Sequence, residues 1–286
     1  MNDDGRSFVG ESRAPLDAPT LVRTLTAPVG PLSRLTCVAA TASTNADVLE
    51  GIRSGEDWPH MSALVADHQT DGRGRAGRSW ETPPGTALTV SFVLRPEGIE
   101  RQGYGWIPLL VGLAVQRTLS RDGLPALLKW PNDVVVDDPQ RLALPGWERA
   151  RKVAGILCEV EGDTVVAGVG LNVSQREDEL PVPQASSLAL LGAPTIERGV
   201  LLGSLAYELS AVMATWADGG GAGGMEAAIM AVCGTLGRKV IVDRPGDEPL
   251  EGMALGLSHE GGLMIETVDG RTVTVLAGDV SLRVGE

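Results

Sequence analysis

Apolar and polar positions in this chain recur regularly enough to lay out its elements from about Leu35 onward. Alternating or continuous apolar runs predict strands at Leu35–Ala39, Ala63–Asp67, Ala87–Leu94, Ala126–Trp130 and Val134–Val136, the last two on either side of Pro131. Lys152–Glu161 and Thr164–Val173 alternate well, and Gly162-Asp163 between them predicts a hairpin. Helical spacing marks Trp106–Ser120, stopped by Asp122-Gly123. It also marks Thr195–Ala217, where Leu201, Leu205, Leu209, Val212 and Trp216 share a face. Thr44-Asn45-Ala46-Asp47 reads as a capping box opening a short helix through Ile52. The glycine run 219–224 ends the long helix, and a short one follows through Val232.

The last part changes character. Lys239–Asp243, Met253–Ser258, Leu263–Thr267 and Thr272–Leu276 are short strands punctuated by Pro245-Gly246-Asp247, Gly261-Gly262 and Asp269-Gly270. The fold class is therefore α/β (α+β): a mixed-sheet domain over 35–236, followed by a small β barrel over 237–286. Residues 1–34, rich in Pro, Thr, Ser and charge, are expected to be a mostly disordered leader with no room for a helix-turn-helix.

Composition narrows the function. The chain has 286 residues, a formal net charge of −13 and 43% hydrophobic residues, which allows a sizeable core. Its acidity argues against broad DNA binding, which needs basic surface. The 3 Cys and 3 His are scattered, so neither a disulfide framework nor a zinc site is expected. No segment reads as long and apolar enough to cross a membrane, and the acidic N-terminus lacks the apolar core of a signal peptide. A cytoplasmic protein without membrane or DNA partners is the expectation.

Against that background, Gln69-Thr70-Asp71-Gly72-Arg73-Gly74-Arg75-Ala76-Gly77-Arg78-Ser79-Trp80 stands out. Gly72-x-Gly74-x-x-Gly77 satisfies the dinucleotide fingerprint literally, but Pro83-Pro84-Gly85 follows, and the fingerprint works only where a helix starts. No Gly-Lys-Ser/Thr follows either, so it is not a phosphate loop. Glycine gives the backbone freedom and close approach, and arginine brings a planar fork of donors. Together they suit a mobile lid that orders over an anion; a solvated basic loop is the bland alternative. Lys129-Trp130-Pro131-Asn132-Asp133 places a lysine, an amide and a carboxylate at a strand edge, or is simply a polar turn. Lys152 opens an otherwise apolar strand, and Gly155 lies three residues on. Gly168-Val169-Gly170-Leu171-Asn172 repeats the glycines on the neighbouring strand, as a floor for a flat ligand or as tight sheet packing.

Taken together, Gly72–Trp80, Lys129–Asp133, Lys152–Ile156, Gly168–Val173 and the upstream Ser43-Thr44-Asn45 resemble the biotin protein ligases, from about Leu35 to Arg283. The resemblance implies a mixed-sheet catalytic domain like that of class II aminoacyl-tRNA synthetases, then an SH3-like barrel closed by Gly278–Arg283. It implies a reaction: biotin and MgATP give biotinoyl-5′-AMP, and a lysine of a biotin carboxyl carrier domain takes the biotin. By position, Ser43, Thr44, Asn45, Gln69, Arg73, Gly74, Arg75 and Lys152 correspond to biotin contacts. Arg78, Trp80, Lys129, Asp133, Gly155, Asn172 and Arg283 correspond to the nucleotide side. Lys152, Arg75 and Asp133 are the candidate catalytic groups, with Asp133 orienting the incoming lysine or joining the magnesium shell. Trp80 packs against the lid or the adenine. No protein metal site is implied; ATP and Mg²⁺ are the cosubstrates. Some members also repress transcription through an N-terminal DNA-binding domain, which the leader is not expected to supply. A lipoate or octanoate ligase and a non-catalytic nucleotide-binding regulator are the alternatives. Asp137–Arg151 is longer than the family usually has, and either covers the site or loops out.

Overall fold

A computed structural model describes residues 13–220, 222–244 and 246–282. A seven-stranded sheet organises the larger part. Its strands are β1 (Arg34–Val38), β2 (Ser62–Ala66), β3 (Ala87–Leu94), β4 (Ala126–Lys129), β5 (Asp133–Asp137), β6 (Ala150–Glu161) and β7 (Thr164–Asn172), in the order β1-β2-β3-β7-β6-β5-β4. Only β1 and β2 run parallel; the other neighbours are antiparallel.

Every residue of β2 and β3 is buried, because both faces of the sheet are covered. One face carries α3 (Ile107–Arg121) and α4 (Arg198–Asp218), and receives Ala63, Val65, Val90, Phe92, Val169 and Leu171 into the main core. The opposite face takes α2 (Thr44–Arg53), whose Val48 and Leu49 pack with Leu64, Val93, Val166 and Trp58. The period-two pattern thus sorts side chains between two different coverings. The α4 positions Leu201, Leu205, Leu209, Val212 and Trp216 are all buried, as their spacing predicts. By length and composition α4 could cross a membrane, contrary to the sequence expectation, but half of that span is buried inside the protein, as in a core helix.

The leader expectation is corrected for residues 13–34. Ala18–Leu25 forms α1, capped by Asp17, whose side chain accepts from Thr20 N, with a proline in the first turn. Leu21 and Leu25, one turn apart, are buried, as is Leu32. Arg13 donates to Glu179 and to the Ser174 carbonyl, and Arg198 to the Ala14 carbonyl and Asp67. Polar composition concealed a short amphipathic stripe tied down by ion pairs.

After α5 (Ala222–Val232), strands β8 (Lys239–Asp243), β9 (Leu250–Leu257), β10 (Leu263–Thr267), β11 (Thr272–Val275) and β12 (Asp279–Leu282) form an antiparallel sheet in the order β11-β10-β9-β8-β12. These five strands are the expected small C-terminal β unit; among the described residues no ladder joins β11 to β12. Buried tryptophans bind it to the larger sheet: Trp106 Nε1 donates to the His259 carbonyl at 2.7 Å and Trp130 Nε1 to the Gly261 carbonyl at 3.0 Å. Each indole buries its body and satisfies its single donor across the junction.

Candidate active site

One cleft of about 840 Å³ lies on the α2 side of the seven-stranded sheet. Every candidate residue proposed from the sequence lines it, except Arg283, which lies outside the described residues.

At one end stands the α2 N-terminus. Ser43 is the N-cap, one residue before the expected capping box, and its hydroxyl accepts from Ala46 N. Thr44 donates its backbone N–H and its hydroxyl to Gln69 Oε1, at 2.8 and 2.9 Å. Ser91, which the sequence reading missed, lies 2.7 Å from Thr44 Oγ1 and 2.6 Å from Asn45 Oδ1. A lone serine inside the apolar run Thr89–Leu94 was the signal for it. Asn45 donates to the Leu157 carbonyl at 3.1 Å and to Glu159 at 2.8 Å, and a Cβ on Gly168 would strike its amide at 2.5 Å. Asn45 is therefore a clamp between α2 and β6, and Gly168 makes room for that clamp. Asn45→Ala should cost about 1–3 kcal/mol of stability through the orphaned partners, seen as a lower melting temperature. An unchanged melt with weakened biotin binding would instead make Asn45 a ligand contact.

The floor is the cross-strand pair Gly155 and Gly170. The Trp80 indole lies on it: a Cβ on Gly170 would sit 2.4 Å from the ring, and one on Gly155 3.2 Å. Trp80 thus packs on the glycine floor. Lys152 Nζ lies 5.6 Å from the ring centroid and forms an ion pair with Asp133 at 2.5 Å.

A β-bulge explains how Lys152 reaches this face. Residues three apart on a regular strand point to opposite sides of a sheet. The β5–β6 register, however, shifts between Val134 (paired with Ala154) and Val135 (paired with Lys152), leaving Val153 as an extra residue. The bulge turns Lys152 onto the same side as Gly155, within 3.0 Å of where its Cβ would lie.

The arginine–glycine loop folds as a hairpin over the cleft. Trp80 N donates to the Gly72 carbonyl at 2.8 Å and Gly74 N to the Arg78 carbonyl at 2.6 Å, with Arg73 and Ser79 bridged between them. Arg75–Gly77 is a 3₁₀ turn in which Ala76 takes φ 53°, a left-handed conformation costly for a residue with a Cβ. The three guanidinium groups diverge. Arg75 reaches inward and donates to Asn132 Oδ1 at 3.1 Å; burial pushes it below the usual guanidinium value, with Asp133 acting in the other direction. Arg78 pairs with Asp279 on β12. Arg73 is exposed, 3.6 Å from Asp71.

At the far end, Lys129 is 5% exposed and donates to the Val280 carbonyl at 2.5 Å. Its ammonium is pushed below the usual lysine value, chiefly by burial, with Asp133 opposing and Lys152 and Arg78 adding to the effect. Asn132, unassigned from the sequence, donates to the Ile156 carbonyl at 2.7 Å and so splices the β4–β5 turn to β6. Asn172 is buried and hydrogen-bonded on both sides of its amide: it donates to the Ser186 carbonyl at 3.0 Å and accepts from Gln175 at 2.9 Å.

The arrangement is a polar niche, a flat apolar floor and a set of cations in series, the geometry of a site that joins a carboxylate to a nucleotide. Comparison with known proteins agrees. Residues 37–175 match the biotin/lipoate A/B protein ligase family, and residues 235–283 the biotin protein ligase C terminal domain. A biotin–(acetyl-CoA-carboxylase) ligase of Mycobacterium tuberculosis is 37% identical over 272 residues, spanning 94% of this chain and 96% of that protein. The bifunctional ligase/repressor BirA of Escherichia coli is 30% identical over 261 residues, spanning 85% of this chain and 72% of that protein. Among solved structures, a biotin protein ligase from Aquifex aeolicus in complex with biotin and ATP superposes with a TM-score of 0.72 at 29% identity, covering 89% of this chain and 100% of that one. The chain belongs to the biotin protein ligase family.

Proposed function

We propose that this protein activates biotin with ATP as biotinoyl-5′-AMP and transfers the biotin to a lysine of a biotin carboxyl carrier domain. The observation that carries this reading is the gathering of Arg75, Lys129 and Lys152 in one cleft beside a neutral hydrogen-bonding niche. The ureido head fits the Ser43–Thr44–Gln69 niche, and its tail runs past the Trp80 indole toward Lys152.

In the first step the biotin carboxylate attacks the α-phosphorus, and the bond to the β-phosphate breaks to release pyrophosphate. The approaching anions repel by about 4 kcal/mol at ~4 Å and an effective dielectric near 20. Lys152 bonds the carboxylate, while Arg75, Arg78 and Lys129 hold charge that develops on the phosphates, so catalysis rests on positioning and fixed cations. Among the described residues no group of three or more acidic, histidine or cysteine side chains is placed to hold a metal. Magnesium fits here as part of MgATP, neutralising the polyphosphate, and Asp133 is the cleft carboxylate that would join its shell. In the second step the carrier lysine attacks the acyl carbonyl, AMP leaves, and the lysine loses a proton. Asp133, beside Lys152, would orient that amine. A cytoplasmic location, where ATP and carboxylases meet, completes the proposal.

An avidin blot of a carrier domain incubated with biotin, ATP and this protein tests the reading, with lipoate transfer followed in parallel by intact mass; transfer of lipoate but not biotin would overturn it. Arg75→Gly should loosen the hairpin from Asn132 and release the adenylate, so that unrelated proteins become biotinylated at lysines. Labelling still confined to the carrier would show that Arg75 does not retain the intermediate.

A further inference from the structure

The segment between β5 and β6 neither loops out nor simply lids the cleft. It is pinned to the C-terminal sheet and presents one aromatic side chain to the site. Leu144 and Glu148 close a tight turn, with Leu144 N donating to the Glu148 carbonyl at 2.7 Å and Glu148 N to the Leu144 carbonyl at 2.8 Å. Leu282 N of β12 donates to the Gly146 carbonyl at 3.0 Å, and Glu148 forms an ion pair with Arg238. Glu148 is held at φ 52°, a conformation that persists in a residue with a Cβ only where its surroundings impose it. Between these anchors sits Trp147, which lines the cleft. Its ring lies 4.3 Å from Lys129 Nζ.

Lys129 has three N–H donors, and among the described residues a single one is used, on the Val280 carbonyl. An ammonium so buried, with donors left over at a cleft wall, needs something to hold it in place. An indole face does so without occupying a donor, because it attracts the cation through the ring quadrupole.

We propose that Trp147 is a positioning residue for the nucleotide: it supports the Lys129 ammonium from one side so that the free N–H groups meet the polyphosphate of ATP. The long β5–β6 connection is then part of the nucleotide half of the site. This rests on the ATP-dependent reading above.

The test is biotin-dependent ATP–pyrophosphate exchange with Trp147→Phe and Trp147→Leu. Leucine fills the space without a quadrupole; phenylalanine keeps a weaker one. The KM for ATP should rise in the order Trp, Phe, Leu, by about tenfold for leucine, while the KM for biotin stays within twofold. Partial rescue by phenylalanine separates a cation–ring contact from space filling. Equal KM values for ATP in all three proteins, or an equal rise for both substrates, overturns the proposal. Should the leucine variant not fold, the phenylalanine variant decides alone: a KM for ATP raised about two- to threefold, with biotin unaffected, supports it, and an unchanged one overturns it. If the wild-type protein shows no biotin-dependent exchange, the functional reading fails, an outcome distinct from failure of the Trp147 assignment.

Discussion

Lys152→Ala should lower biotin-dependent ATP–pyrophosphate exchange by a factor of about 10²–10³, the usual consequence of removing one preorganised group that meets developing charge. The loss follows from geometry. Lys152 stands at the junction between the glycine floor and the cationic end of the cleft, where the two reacting anions must meet. Its removal also strands Asp133, only 13% exposed and otherwise paired with it at 2.5 Å, so some loss of stability is expected. Lys152→Ala combined with Asp133→Asn separates the two effects. The double variant should recover the melting temperature and remain inactive. Near-normal exchange in Lys152→Ala would remove this lysine from the reaction.

Gly170→Val should be nearly as damaging for a steric reason. The new Cβ would fall 2.4 Å from the Trp80 ring, so the indole must leave the floor. Trp80 N holds the Gly72 carbonyl, and the displaced residue would pull on the whole arginine–glycine hairpin. A misplacement of about 1 Å costs roughly 10² in rate where positioning carries catalysis. Valine suits a strand, so the sheet should survive. The expected result is a melting temperature close to wild type with exchange reduced about 100-fold. Full activity in this variant would show that nothing needs to lie flat between Gly155 and Gly170.

Much of this was readable in advance, for physical reasons. Strand alternation and the Leu201–Trp216 helical stripe register burial, and burial is what the sheet and α4 impose on their sequences. The motif residues converge because the strands, loops and helix N-terminus that carry them face one side of the same sheet. Three things were hidden. Helix α1 was masked by its proline and threonines, although Leu21 and Leu25 carried the period. Gly168 looked like its neighbour Gly170, yet one accommodates Asn45 and the other an indole, a difference set by what stands opposite. The role proposed for Trp147 depends on contacts its neighbours Glu148 and Gly146 make with Arg238 and Leu282, far along the chain, which no local pattern encodes.

The extra residue at Val153 uncouples the lysine's aim from the length of the chain that precedes it. Since the sidedness of Lys152 is decided by pairing within β5 and β6, the connection between them is free to grow, shrink or acquire a new task without swinging the ammonium away from its substrate. A designer could therefore transplant segments of different size into residues 138–149 to tune nucleotide affinity. Straightening β6 with Val153 still in place would by contrast turn the lysine to the hydrophobic side of the sheet, because residues three apart on a regular strand face opposite ways.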